Sequence, residues 1–245
     1  MKIIAGPCQH ESLEQSLEIA KHCADVCGKY GAEYIFKASY DKANRTKVDS
    51  KRGTGLANTL NDFRKLKSTV KCLTLTDVHD YVQVARIVRE FNDAVDVLQI
   101  PAFLCRQTDL IKAACATDKI VNIKKGQFLS PQDIVHVLDK TEGANEVWIT
   151  ERGTQFGYNN IVVDFVGLEY MIEWYDNVVF DLTHACNDRK YVPGLARAGA
   201  ALGIDNFFLE VHADPDNAPS DGHAMINLDE FERIVDDIYC YSYTR

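Results

Sequence analysis

The sequence predicts a (β/α)8 TIM barrel, with residues 1–245 forming one domain. Three observations carry that expectation. Short apolar runs with strand character recur eight times along the chain. The stretches between them mostly show helical spacing of apolar residues, and 245 residues is a common length for such a barrel. A doubly wound open sheet is the competing architecture, but no GxGxxG follows the first run to support it.

In order, the strands are expected at Lys2–Ala5, Glu33–Lys37, Cys72–Thr76, Val95–Ile100, Ile120–Lys124, Glu146–Thr150, Asn177–Asp181 and Asn206–Val211. The first intervening helix presents Leu13, Leu17, Ala20, Ala24 and Cys27 on one stripe, and the second Leu56, Leu60, Phe63 and Leu66. Ser130-Pro131-Gln132-Asp133 predicts a helix start, with a capping serine, proline at the first helical position and an acid three residues past the cap. A last amphipathic helix runs from about Leu228 to Tyr239, with Phe231, Ile234, Val235 and Ile238 on its buried side.

Composition narrows the function classes. A net charge of −9 argues against general nucleic-acid binding. There is no apolar run of about 18 residues to span a membrane. The start turns at Gly6-Pro7 before a signal-peptide core could form. Eight cysteines without a close CxxC pair read as free thiols of a reducing cytoplasm, most of them packed into the core.

Barrel active sites lie at the C-terminal ends of the strands, and the polar residues cluster there. Cys8, Lys37, Asp77 with His79, Gln99 followed by Arg106, Lys124, Arg152, His184, and Glu210 with His212 all fall at or just past a strand end. Lys125, by contrast, is compatible with simple solvation, and His22 and His136 read as helix surface groups. One set is cationic: Lys37, Lys42, Arg45, Arg52, Arg106, Lys124 and Arg152. That exceeds the need of one phosphate, so two anionic groups are expected, with arginines gripping in bidentate fashion and lysines neutralising as point charges. A second set joins the Cys8 thiol, the His184 imidazole, and the Glu210 and Asp221 carboxylates. Four such groups suit a divalent transition metal, zinc or ferrous iron before manganese or cadmium and rather than magnesium; ordinary packing of a buried cysteine is the alternative.

Longer motifs add a resemblance. They are Ala5-Gly6-Pro7-Cys8, Phe36-Lys37-Ala38-Ser39 with Asp41-Lys42-Ala43-Asn44-Arg45, Arg52-Gly53 and Thr76-Asp77-Val78-His79. They continue through Gln99-Ile100-Pro101-Ala102-Phe103-Leu104-Cys105-Arg106-Gln107-Thr108-Asp109 and Asn122-Ile123-Lys124-Lys125-Gly126-Gln127-Phe128. The last are Glu151-Arg152-Gly153-Thr154, Phe156-Gly157-Tyr158-Asn159-Asn160, and Glu210-Val211-His212 with Asp214-Pro215-Asp216. Nearly end to end, the chain resembles the 3-deoxy-D-manno-octulosonate 8-phosphate synthase family.

That resemblance implies a cytoplasmic TIM-barrel enzyme, usually a homotetramer. It would condense phosphoenolpyruvate with D-arabinose 5-phosphate and water, releasing phosphate, on the route to Kdo of lipopolysaccharide or to a plant wall sugar. Carried over by position, Lys37, Lys42, Lys124 and Arg152 would hold phosphoenolpyruvate, and Asn44, Arg45 and Thr46 would meet the sugar phosphate. Asn44 and His184 join those cations as catalytic candidates, and Ser39, Arg52, Asp77 and Gln99 join the substrate contacts. Arg106 would reach the site of a neighbouring subunit. Cys8, His184, Glu210 and Asp221 would place the chain in the metal-dependent branch.

The resemblance has departures. Ala185-Cys186-Asn187-Asp188-Arg189-Lys190-Tyr191-Val192-Pro193 passes directly into Gly194-Leu195-Ala196-Arg197-Ala198-Gly199, where the family has a longer loop. Thr54 and Gln9-His10 depart in smaller ways. A related heptulosonate 7-phosphate synthase, using erythrose 4-phosphate, and a catalytically weak sugar-phosphate-binding protein are the alternatives. Lys42-Ala43-Asn44-Arg45 favours the five-carbon sugar.

Overall fold

The structure, a computed structural model, describes residues 1–158 and 160–243; Asn159 of the Phe156–Asn160 motif lies outside the described residues. The chain runs through β1 (Lys2–Gly6), α1 (Leu13–Lys29), β2 (Glu33–Lys37), α2 (Leu56–Val70), β3 (Leu73–Asp77), α3 (Tyr81–Phe91), β4 (Val97–Ile100) and α4 (Thr108–Cys115). It continues with β5 (Ile120–Lys124), α5 (Ile134–Leu138), β6 (Glu146–Glu151), a hairpin of β7 (Thr154–Gln155) and β8 (Ile161–Val162), and α6 (Phe165–Trp174). The last units are β9 (Val178–Asp181), α7 (Leu182–Cys186), α8 (Val192–Leu202), β10 (Asn206–Glu210) and α9 (Leu228–Tyr243). β1, β2, β3, β4, β5, β6, β9 and β10 close into an all-parallel barrel, β10 pairing back onto β1. All eight expected strands form, and Glu33–Lys37 and Ile120–Lys124 keep their expected bounds.

Strand alternation explains both the core and the site. Ile4, Ile35, Leu75, Val97, Trp148, Val179 and Phe208 form a buried cluster that fills the barrel. The residues beside them, such as Ile3, Ala5, Phe36, Leu98 and Ile123, pack outward against the helices. Two residues beyond most of the inward apolar positions the chain is polar: Lys37 follows Ile35, Asp77 follows Leu75, Gln99 follows Val97, Thr150 follows Trp148, Asp181 follows Val179 and Glu210 follows Phe208. The barrel therefore has an apolar plug and a polar mouth.

Gly6 lies where β1 and β2 leave the barrel. A Cβ there would stand 2.1 Å from the carbonyl oxygen of Lys37, so only glycine lets the two strands exit together.

The expected helix faces form on α2, where Leu56, Leu60, Phe63 and Leu66 are buried, and on α9, where Phe231, Ile234, Val235 and Ile238 are. On α1 the stripe is rotated. Ile19, Ala20, Cys23, Val26 and Cys27 are buried, while Leu13, Leu17 and Ala24 stay half-buried at its edge. The expected helix start at Ser130 is displaced: α5 begins at Ile134 with Asp133 at its N-cap, and Ser130–Asp133 form a preceding turn in which Asp133 N–H donates to Ser130 Oγ at 3.3 Å and Ser130 N–H to Asp133 Oδ2 at 3.2 Å. The β7–β8 hairpin had no expectation behind it. Among the described residues, no helix is long and apolar enough to cross a membrane.

Candidate active site

A cavity of about 420 Å³ opens at the polar mouth of the barrel. Lys37, Ser39, Lys42 and Asn44 line it from the end of β2 and the loop after it. Asp77, Gln99 and Lys124 line it from β3, β4 and β5, Arg152 from just past β6, and His184 and Glu210 complete the ring. Residues from separate strand ends thus meet in one place.

The cations are held but not exhausted. Lys37 is buried and donates to the carbonyl of Cys8 and to Glu210 Oε1, both at 3.3 Å. Lys124 is buried, donates to Asp181, and stands 3.3 Å from the centroid of the Phe208 ring, an aromatic floor that supplies cation–π attraction. Burial pushes the Lys124 ammonium down to about 8; Asp181 resists that shift, and the neighbouring Lys37 and Arg152 add to it. Lys42 donates to Ser39 Oγ at 2.8 Å. Burial pulls its pKa down, but Cys8, Asp77 and Glu210 together raise it above the usual lysine value. Arg152 carries a buried Nε with no partner, a donor available to a ligand.

On β3, next to the strand that carries Lys37, Asp77 Oδ2 pairs with His79 Nε2 at 3.1 Å, leaving Asp77 Oδ1 and His79 Nδ1 buried without partners. Burial opposes the charged ring, yet the Asp77 hydrogen bond and charge raise the His79 pKa. Deeper, Thr150 donates to Asn122 at 2.6 Å and Asn122 to Gln99 at 3.1 Å, which fixes the Gln99 amide at the cavity floor.

Beside the cations sits the thiol cluster. Ligand atoms of Cys8, Glu210 and Asp221 lie within 4.8 Å of one another. Cys8 Sγ donates to Asp221 Oδ2 at 3.1 Å, and His184 Nε2 stands 3.7 Å from Glu210 Oε1. Burial and the Glu210 charge push the Cys8 thiol up to about 12. Glu210 Oε2 is buried with no hydrogen-bond partner, an arrangement that costs free energy unless something cationic fills the gap. Asp181 fixes His184 from behind, accepting from its Nδ1 at 2.7 Å and from its backbone N–H at 3.0 Å. A carboxylate on Nδ1 leaves Nε2 of the neutral ring as the free lone pair, as metal-binding histidines require. Of the four expected ligands, Cys8, Glu210 and Asp221 converge and His184 stands beside them, nearest Glu210; a thiol, an imidazole and two carboxylates are donors that suit a divalent transition metal.

The sequence profile of the DAHP synthetase I family matches residues 1–239. The chain belongs to that family. Its similarity to individual members is close. The 2-dehydro-3-deoxyphosphooctonate aldolase of Rickettsia bellii (strain OSU 85-389) is 46% identical over 252 aligned residues, covering 98% of this chain and 90% of the relative. The proteins of the same name from Bradyrhizobium diazoefficiens and Caulobacter vibrioides (strain NA1000 / CB15N) are each 45% identical, covering 96% and 98% of this chain and 87% of each relative. That name denotes the octulosonate 8-phosphate synthase to which the motifs pointed, and the expectation of an enzyme of this group is borne out.

Other family motifs lie outside the cavity. Arg52 spends its guanidinium on Asp41 through bonds of 2.8 and 2.5 Å and faces a separate hollow. Arg45 and Thr46 line a side hollow next to Asp221. There Arg45 donates to Ser220 Oγ at 2.8 Å, to the Pro219 carbonyl at 3.0 Å and to Gln9 Oε1 at 3.2 Å, binding the β2 loop to the loop that carries Asp221. Arg106 is exposed and away from its own chain's cavity.

The short segment after His184 is fastened down. Arg189 donates to Gly222 O at 2.5 Å and to Asp216 at 2.7 Å, and its backbone N–H to the His223 carbonyl at 3.0 Å.

Lys125 corrects the solvated reading: its side chain is fully buried and pairs with Glu151 at 3.3 Å. His22 is half-buried and bonds the Leu228 carbonyl, whereas His136 is exposed. Asp181 and Phe208 escaped the sequence reading as site residues. The alternation that singles out Asp77 applies equally to Asp181, two residues past inward Val179. Phe208 as a floor under two lysines has no such signal.

Proposed function

We propose that the cavity condenses phosphoenolpyruvate with D-arabinose 5-phosphate and water, giving 3-deoxy-D-manno-octulosonate 8-phosphate and phosphate, in the Kdo branch of cytoplasmic metabolism. One observation carries the reading: Lys37, Lys42, Lys124 and Arg152 converge in one cavity beside Cys8, Glu210 and Asp221. The relatives' shared name agrees with it.

Phosphoenolpyruvate brings a phosphate and a carboxylate, and the four cations offset both. Lys124 and Lys37, held over Phe208, and the unpartnered Arg152 Nε face the same space. Asn44 on the rim and Arg45 and Thr46 in the adjoining hollow are the groups that would receive the sugar phosphate. Holding two mutually repelling anions so that enol C3 faces the aldehyde carbon is the main contribution, since orientation alone removes much of such a barrier. C3 forms the new bond to the aldehyde carbon, and a proton reaches the aldehyde oxygen. Water adds at C2, giving up a proton, and phosphate leaves by C–O cleavage. Asp77, Gln99 and Ser39 offer the polar contacts that order the sugar hydroxyls and water.

Cys8, His184, Glu210 and Asp221 would hold a divalent ion, zinc or ferrous iron by the softness of the thiolate, with manganese or cadmium as further fits. When bound, such an ion would supply Lewis acidity. In the assembly we propose, a homotetramer, Arg106 serves a neighbour's site.

A coupled assay with a panel of aldose phosphates, with and without chelator, tests this. The expected result is phosphate release with arabinose 5-phosphate, lost on chelation and restored by divalent metal. Equal turnover with erythrose 4-phosphate would refute the sugar assignment. Full activity of Cys8→Ala under chelator would refute the metal assignment.

A further inference from the structure

Two charged residues at the barrel mouth stay out of the cavity. Lys125 and Glu151 are each one position from a site cation, Lys124 on β5 and Arg152 just past β6. Alternation turns Lys124 toward the cavity and Lys125 away from it, and likewise separates Arg152 from Glu151. The outward members then meet. Lys125 Nζ lies 3.3 Å from Glu151 Oε2, and the two residues are 0% and 6% exposed.

A buried pair must satisfy its remaining donors and acceptors, and this one does so on the backbone of both loops. Lys125 Nζ donates to the carbonyls of Gly126 at 3.2 Å and Leu129 at 3.0 Å, and lies 3.4 Å from Thr154 Oγ1. Glu151 Oε1 accepts the Gly153 N–H at 2.5 Å. Main-chain bonds run alongside: Lys125 N–H donates to Thr150 O at 2.8 Å, and Gln155 N–H to Gln127 O at 3.0 Å. Gly153 has a φ of 86°, and a Cβ on it would strike Ile161, so this turn accepts no other residue at low cost. Arg152 hangs between the two anchored residues, and its Nε has no partner of its own.

We infer that the buried Lys125–Glu151 pair is the positioning element of the anion site, setting the separation and aim of Lys124 and Arg152 so that one phosphoenolpyruvate meets both. This rests on the reading of those two cations as its binders. Neither residue of the pair touches substrate; both act through the backbone of the residue next to them. A misplacement of about 1 Å at such a site can cost about a hundredfold in rate.

The test uses the full-length protein, with Glu151→Gln, Lys125→Met and the double variant. Glu151→Gln keeps an acceptor for Gly153 while leaving Lys125 unpaired. The double variant removes both charges, which restores stability to many buried pairs. Melting temperature, phosphoenolpyruvate binding by titration calorimetry, and KM for each substrate are measured together. In the double variant we expect a melting temperature close to that of the unmodified protein, phosphoenolpyruvate affinity reduced about tenfold or more, and an unchanged KM for the sugar phosphate. Unaltered phosphoenolpyruvate affinity in a folded double variant would overturn the inference alone. Failure of the unmodified protein to bind phosphoenolpyruvate would overturn the reading of Lys124 and Arg152, and the inference with it. A uniform loss of both substrates' affinities would mean a structural pair only, and would also overturn it.

Discussion

Lys124 shows how one residue's surroundings set a pH response. Burial holds its ammonium near 8, well below the ordinary lysine value of 10.5, against the pull of Asp181. Between those two values the unfolded chain keeps a proton that the folded lysine has released. Stability is therefore penalised below about 8 and recovers as pH rises toward the unfolded value. Anion binding needs the opposite, the charged form. The expected outcome is a kcat/KM for phosphoenolpyruvate that falls as pH rises through about 8, since that ratio reports free-enzyme ionisations. Lys124→Arg, which stays charged, should lose this alkaline fall even if its plateau is lower. An alkaline limb unchanged in the arginine variant would assign it to another group. Asp181 behind Lys124 makes a second prediction. Asp181→Asn weakens the grip on His184 Nδ1, and outer partners of this kind are worth about 10- to 100-fold in metal affinity. Competition with a chromogenic chelator would measure it, and affinity within twofold of the parent would separate Asp181 from the metal site.

The elements were more legible than the residues they carry. Eight strands could be read because inward and outward faces are both apolar over most of each strand, and that pattern is local. The convergence of Lys37, Lys124, Arg152 and Glu210 followed from the rule that strand C-termini share one mouth. What stayed hidden depends on contacts across the chain. Lys125 reads as solvent-facing until Glu151 is placed on the neighbouring strand. Arg52 reads as a ligand-binding cation until Asp41 is seen to occupy it. The α1 stripe rotated because packing on β1, β2 and α9 decides which of two adjacent apolar rows goes in. Gly6 is the sharpest test at this scale. Gly6→Ala drives a methyl against the Lys37 carbonyl and must spread β1 from β2 where Lys37 leaves the sheet. Overpacking of this kind costs about 1–3 kcal/mol. In a chain of this length that corresponds to roughly 2–12 °C in melting temperature. Because the strain falls on Lys37, turnover should drop further than the melting shift accounts for. Calorimetry alongside kinetics would check both, and a variant with parental stability would show that the strands part freely.

At the scale of the whole molecule, a chain of net charge −9 has concentrated cations at one end of its barrel. That focuses an attractive potential on small anions while the rest of the surface repels them. Arg106 does not belong to that concentration. It is exposed, its backbone carbonyl is held by Lys140 at 2.8 Å, and it stays out of the cavity that Phe103 of the same loop helps to line. A cation that does not line its own chain's cavity can serve substrate only if a second chain brings a cavity to it. Mixing two inactive variants tests that arrangement. Arg106→Ala chains keep an intact cavity, and Lys124→Met chains keep an intact Arg106. Refolded alone, each should be weakly active. Refolded together in equal amounts, random pairing across a two-fold interface joins an intact cavity to an intact Arg106 in about a quarter of the sites. Recovery of about that share of parental activity is the expected outcome. A mixture no more active than the mean of its components would confine Arg106 to its own chain and separate the assembly from catalysis.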